Sequence, residues 1–201
     1  MNGGGPRLEL VAGCMFSGKS SELLRRVRRF RIAGYQVLLL KHAADRRYDE
    51  GGAITSHDHD TEECVATSLL ETVVVSEGTQ VVATDEIQFF EADDIRAFYE
   101  RVVLPRQLFW ICAGLITDWR CTAFPAWTAL LPRADSIVTL SAVCAACQDR
   151  PATCSARHSP AVTPSAREVG GADLYWPACR RCWQEVEGQG ALPVHHRRVR
   201  R

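Results

Sequence analysis

Three groups of residues have the types and spacing to do chemistry. The first is Gly13-Cys14-Met15-Phe16-Ser17-Gly18-Lys19-Ser20, which matches G-x-x-x-x-G-K-[ST]. The glycines let the backbone fold its N–H groups into a nest for phosphate oxygens. Lys19 is expected to reach the outer phosphates, and the Ser20 hydroxyl to ligate Mg²⁺. The second group is Asp85-Glu86, two carboxylates that close the apolar run 81–84. Adjacent residues at a strand end point different ways. Asp85 is therefore expected to hold the Mg²⁺ shell, leaving Glu86 free as a general base. The third group is two Cys-x-x-Cys pairs, Cys144/Cys147 and Cys179/Cys182. Four thiolates make a tetrahedral Zn²⁺ set with no open coordination position, which points to a structural site. The 31 residues between the pairs exceed what a compact ribbon needs, so they are expected to form an excursion from the metal base. Cys154 and His158, inside that excursion, are expected not to ligate.

A phosphate nest works between a strand and the positive N-terminus of a helix. The apolar run 8–12 precedes the nest. A helical pattern over 22–32 follows it, with Leu23, Val27 and Phe30 at i, i+4 and i+7 and arginines on the other face. This helix is expected to begin at about Ser20. Further apolar runs lie at 37–40, 81–84, 108–115 and 136–143. They are near-continuous rather than alternating, as in parallel strands buried on both faces. Residues 93–103 form a second helical pattern, with Ile95, Phe98, Tyr99 and Val102 on one side. Strands alternating with helices predict an α/β fold, a P-loop NTPase-like parallel sheet flanked by helices. Residues 47–65 are polar and are expected to be a mobile loop. After about residue 143, cysteine, proline and serine replace the apolar runs. The expected division is a nucleotide-binding core at 1–142, a zinc-binding module at 143–188 and a disordered basic tail at 189–201.

The chain has 201 residues, with 24 basic and 24 acidic side chains. A net charge of zero gives no global attraction to nucleic acid or anionic membrane. The basic residues are local, at 25–31 and 195–201. No apolar run reaches the ~18–20 residues of a membrane helix. The first residues lack a signal-peptide layout, so a cytoplasmic protein is expected. Nine cysteines in that setting point to metal binding or burial rather than disulfides. Cys112 sits in an apolar run and is expected in the core, whereas Cys14, Cys64 and Cys121 show no partner spacing.

Together the stretches GCMFSGKSSELLRRVRRFRIAGYQVLLLKHAADRRY, TSHD, DEIQFF, GLITDWRCTAFP, LSAVCAAC and VGGADLYWPACRRCW resemble the type II thymidine kinases. These are the cellular and poxviral-like family that carries a zinc lasso. The stretches run in family order as far as about Trp183. The resemblance implies transfer of the ATP γ-phosphate to the 5′-hydroxyl of thymidine, with Mg²⁺ and a structural Zn²⁺. It also implies a homotetramer or dimer and no nucleic-acid or membrane partner. Under it, residues 13–20 hold the ATP phosphates, with Asp45 and Arg47 near the triphosphate. Asp85 holds the Mg²⁺ shell, Glu86 takes the 5′-hydroxyl proton and Gln88 sits beside the nucleotide. Met15, Phe89, Leu115, Trp119 and Phe124 box the base, Glu168, Val169 and Gly170 present backbone groups to its polar edge, and Tyr175 closes the pocket. Ile116 stands where the family usually has aspartate, and Trp119 where it commonly has phenylalanine. A broadened deoxypyrimidine range is one alternative reading. A P-loop ATPase that binds nucleic acid through the 25–31 face is another.

Overall fold

The computed structural model describes residues 6–45, 53–55, 61–158, 170 and 173–187. In chain order the elements are β1 (Arg7–Gly13), α1 (Lys19–Ile32), β2 (Val37–His42), β3 (Ala53–Thr55), β4 (Thr61–Glu63), β5 (Val65–Thr67), β6 (Val81–Asp85), α2 (Ala92–Phe98), β7 (Phe109–Gly114), α3 (Ala126–Leu130), β8 (Ser136–Leu140), β9 (Ala142–Val143), β10 (Pro151–Ala152), β11 (Cys154–Arg157), β12 (Tyr175–Ala178) and α4 (Arg180–Glu187).

Six strands form one sheet in the order β5-β2-β6-β7-β1-β8, and every pairing in it is parallel. Successive side chains of a strand leave by opposite faces, so the central strands must be apolar on both. Leu8, Leu10 and Ala12 of β1, Val82 of β6, and Trp110 and Cys112 of β7 enter one core cluster with residues of α2 and α3. Val11, Val81, Ala83, Ile111 and Ala113 enter the other, against Leu23, Leu24 and Val27 of α1. The continuous apolar runs follow from this two-sided burial. Register brings Gly114 level with Ala12 and Cys112 level with Thr84. The ends of β1, β7 and β6 therefore share the carboxyl edge of the sheet, where open α/β sheets place their ligands.

The arginine face of α1 is ion-paired. Arg26 meets Glu9 at 2.6 Å and Glu22 at 2.8 Å. Arg25 meets Glu22 at 2.6 Å, and Glu62 of β4 accepts from both Arg28 and Arg31.

Three expectations change. The run 136–143 is not one strand: β8 ends at Leu140, and β9 pairs instead with β10, antiparallel, in a separate ribbon. Within 47–65, β3 and β4 form an antiparallel pair, and β5 extends the main sheet beside β2. Buried Ile54 anchors that pair against the α1 cluster, and residues 46–52 and 56–60 lie outside the described residues. The helix over 93–103 is regular only to Phe98; Tyr99–Val103 is a π turn. Its wide bond from Leu104 N–H to the Tyr99 carbonyl, 2.9 Å, leaves Val103 fully buried. Among the described residues, no helix is long and apolar enough to cross a membrane.

Candidate functional site

The loop after β1 is shaped by close approach. A Cβ on Gly13 would lie 2.3 Å from Ser17 Oγ and 2.7 Å from the Leu140 carbonyl, so only glycine fits. Phe16 at φ 63° and Gly18 at φ 81° take left-handed conformations, which turn successive N–H groups inward. Ser17 Oγ donates to the Cys14 carbonyl at 2.9 Å. Lys19 is 8% exposed, and its ammonium donates to the same carbonyl at 2.7 Å. A buried cation thus lies within the turned loop at the start of α1, an arrangement suited to a polyphosphate.

Asp85 ends β6 and is 4% exposed. Its carboxylate accepts from the Glu86 N–H at 2.9 Å. Burial first, then the neighbouring Glu86 charge, pushes the Asp85 carboxyl up to about 6, against the pull of Ser20 and Lys19. A cation near Ser20 and Asp85 would relieve that strain. Glu86 stands at φ 52°, a left-handed conformation uncommon for glutamate, and is buried. Gln88 donates its amide N–H to the Glu86 carboxylate. The Gln88 amide oxygen accepts the Leu115 N–H at 3.0 Å. Gln88 is fully buried with both ends of its amide engaged by the protein, so it braces Glu86. Gly114 makes room for it: a Cβ there would be 2.4 Å from Gln88 Oε1.

The remaining expected contacts are less concentrated. Asp45 is half-buried just beyond β2; Arg47, Glu168 and Val169 lie outside the described residues. Met15, Phe89, Phe124 and Tyr175 are buried. Phe89 lies against His42, with ring centroids 5.8 Å apart. Leu115 and Phe124 belong to one apolar cluster, and Ile116 packs against it. The position of the family's aspartate is therefore filled here by a side chain in apolar surroundings. Trp119 has the Arg120 guanidinium 5.3 Å over its ring, and its carbonyl accepts from Trp183 Nε1 at 2.8 Å. Gly170 is half-buried, and a Cβ on it would meet the Leu174 side chain at 2.4 Å. A cleft of about 720 Å³ among Arg7, Arg26, Arg29, Phe30 and Tyr35 contains none of these residues.

The two Cys-x-x-Cys pairs converge. The Sγ atoms of Cys144, Cys147, Cys179 and Cys182 all lie within 4.8 Å of one another, and Cys147 and Cys179 are 3.9 Å apart. Sulfurs at ~2.3 Å from a tetrahedral Zn²⁺ require nearly that spacing. Burial raises the Cys144 thiol, but N–H groups of Cys147, Cys179 and Ala146 outweigh it and hold it at about 7. Burial and the neighbouring thiols push Cys182 up. Protons crowded among four sulfurs are what a divalent cation displaces, so the set fits zinc. Cys154 is not part of it.

Sequence reasoning missed how this module grips the phosphate loop. Ser155 Oγ on β11 accepts the Met15 N–H at 3.0 Å, and the Cys14 thiol donates to the Ala152 carbonyl at 3.2 Å. Cys14 thus has a partner after all, in the same apolar cluster as Cys144, Cys179 and Cys182. Cys121 and Cys154 also meet. These pairs are 33 to 140 residues apart, beyond any local signal. Asp118, also unmarked beforehand, is a buried carboxylate that accepts the N–H groups of Arg120 and Thr122, each at 2.9 Å.

A family profile described as thymidine kinase matches residues 6–183. The cytosolic thymidine kinase of Homo sapiens is 38% identical over 189 residues, covering 93% of this chain and 77% of that protein. The thymidine kinase of Fowlpox virus (strain NVSL) is 34% identical over 184 residues, 88% of this chain and 96% of its own. That of Chloroflexus aurantiacus is 35% identical over 187 residues, 90% and 95%.

Proposed function

The chain belongs to the thymidine kinase family and phosphorylates thymidine, and from that premise we propose that ATP is the donor, with Mg²⁺, and that Glu86 is the base. The observation that carries this reading is buried Asp85 at the end of β6, with buried Lys19 in the loop after β1 and Glu86 braced one residue on. The loop N–H groups and Lys19 hold the β- and γ-phosphates. Ser20 and Asp85 are the residues that would hold Mg²⁺. Mg²⁺ held there would supply positive charge to offset the charge that develops on the transferring phosphoryl group. Glu86 accepts the proton of the 5′-hydroxyl as the hydroxyl oxygen attacks the γ-phosphorus, and the bond from that phosphorus to the β–γ bridging oxygen breaks to release ADP. Gln88 fixes the carboxylate for that transfer. Met15, Phe89, Leu115, Trp119 and Phe124 offer apolar and aromatic walls to the face of the base, the backbone groups of Glu168, Val169 and Gly170 are assigned to its polar edge, and Tyr175 to closing the pocket. Cys144, Cys147, Cys179 and Cys182 take a structural Zn²⁺. Residues 1–142 serve as the nucleotide-binding core and 143–188 as the lasso.

The apolar packing of Ile116 favours a second, broader reading of the acceptor, in which deoxyuridine and deoxycytidine are also phosphorylated. A nucleic-acid-binding ATPase has less support, because Arg25, Arg26, Arg28 and Arg31 are ion-paired. The test is ATP-dependent phosphorylation of thymidine, deoxyuridine and deoxycytidine by the parent and by Glu86→Gln. The variant is expected to bind ATP like the parent and to turn over about 10²-fold more slowly or worse. Near-parental turnover would remove Glu86 from the role.

A further inference from the structure

Cys121 and Cys154 stand outside the four-thiol set, 33 residues apart in sequence, yet their Sγ atoms are 3.5 Å apart. That is van der Waals contact, and a disulfide at about 2.05 Å needs a closure of only ~1.5 Å. Both sulfurs are mounted on parts that position the reaction. Cys121 lies in the turn between Trp119 and Phe124. Asp118, 4% exposed, pins that turn through the N–H groups of Arg120 and Thr122, and its carbonyl accepts the Cys121 N–H at 3.0 Å. Cys121 itself sits at φ 58°, a backbone state that persists only where its surroundings impose it. Cys154 begins β11 and is 2% exposed; the next residue, Ser155, holds the Met15 N–H of the phosphate loop. Cys121 is half-buried, so a small reagent reaches one sulfur while the second waits behind it. Cys14, the other thiol of this cluster outside the zinc set, is buried and bonded to the Ala152 carbonyl.

We infer that Cys121 and Cys154 form a reversible disulfide site through which a peroxide slows the kinase. The Cys121 thiolate attacks a peroxide oxygen, the O–O bond breaks, and Cys121 becomes a sulfenic acid as one water leaves. The Cys154 sulfur then attacks the Cys121 sulfur and expels a second water. Two thiols and one hydrogen peroxide thus give one disulfide and two waters, and a dithiol reductant reverses the step. The new bond draws the 118–122 turn onto β11 and shifts Trp119, Phe124 and Ser155 together. A misplacement of ~1 Å at a reacting site costs up to ~10²-fold, so turnover is expected to fall about tenfold or more. The effect on turnover rests on the kinase reading; the disulfide does not.

The test uses the full, zinc-loaded, reduced chain. Thymidine turnover is measured, a few equivalents of hydrogen peroxide are added, and turnover, bound zinc and a non-reduced tryptic digest are compared. Cleavage after Arg120 and Arg133 gives peptide 121–133, and cleavage after Arg133 and Arg157 gives 134–157. The expected result is these two peptides joined, with fragmentation placing the link on Cys154, zinc retained, and dithiothreitol restoring turnover. Cys121→Ser is expected to keep parental turnover and to lose the peroxide response; Cys121→Ala repeats the measurement should serine disturb the turn. Inactivation without that link, a link on Cys144 or Cys147, or a linked enzyme as active as the reduced one would overturn the inference. A reduced parent with no thymidine turnover would sink the kinase reading alone, since the peptide map still decides whether the disulfide forms.

Discussion

A carboxylate proposed to take one particular proton has to be aimed, and Glu86 is held from two sides. Its backbone is held in a left-handed conformation, and its oxygen is held by Gln88, which rests on the end of β7. Gly114 is the keystone, because a methyl there would sit 2.4 Å from Gln88 Oε1 and 2.9 Å from the Ile87 side chain. Gly114→Ala is therefore expected to lower stability by about 1–3 kcal/mol, the usual range for overpacking, and to lower turnover as Gln88 is displaced. Chemical denaturation checks the first effect, and a variant as stable as the parent would mean that Gln88 can move aside freely. At this scale the chemistry was legible where it is local. Gly13 to Ser20, Asp85-Glu86 and the cysteine pairs declare themselves by spacing. Gln88 was expected beside the nucleotide, but its bond to Leu115, 27 residues on, has no local signal. Asp118 is unreadable for a similar reason, since an acidic residue in a turn is normally solvated and this one is buried.

The element that sets the charge balance is α1. Its Glu22 carboxylate is held down to about 2, first by its hydrogen bond to Arg25 and then by Arg26, and Arg26 continues the chain of pairs to Glu9 on β1. A carboxyl lowered on folding stabilises the protein above its unfolded value and loses that contribution as pH falls toward the folded one. Arg25 is half exposed, so solvent screening reduces the contribution to about 0.5–1 kcal/mol at neutral pH. Glu22→Gln is expected to be less stable than the parent by that amount at pH 7, with the gap narrowing progressively below about pH 4.5. Urea denaturation of both proteins across pH 4–7 checks this, and a gap independent of pH would mean that the pairing contributes nothing. The apolar stripe of α1 was readable from its period. The pairing of its arginines was readable only in part: Glu22 lies three and four residues before Arg25 and Arg26, but the other partners come from β1 and β4, and β4 is a three-residue strand in a stretch too polar to announce itself. The five long strands were legible because two-sided burial demands continuous apolar runs. The break at Ser141 was not, because β9 is as apolar as the strand it follows and differs only in its partner.

Across the whole molecule, the zinc module does more than close its own fold. Four thiols hold one end of it, and its β10–β12 strands lie on the phosphate loop, where Ser155 receives the Met15 N–H, Ala152 receives the Cys14 thiol, and Cys14 shares an apolar cluster with three of the four zinc-fitting cysteines. A module this poor in apolar residues would depend for its order on a metal held by the four thiols. If the metal orders it, the metal also orders the loop that binds phosphate some 130 residues earlier in the chain. Protein purified without chelator is expected to carry about one zinc per chain, and less than a tenth of that would sink the four-cysteine site. Stripping the zinc with an aromatic chelator at neutral pH is expected to lower the melting temperature and also to weaken ATP binding several-fold, since the Met15 and Cys14 anchors go with the module. Restoring one equivalent of zinc is expected to recover both. Zinc removal that lowers the melting temperature while ATP affinity stays unchanged would separate the two halves of the argument, leaving the metal a structural role confined to its own lobe and the phosphate loop self-supporting on the glycines and the Ser17 and Lys19 bonds to the Cys14 carbonyl.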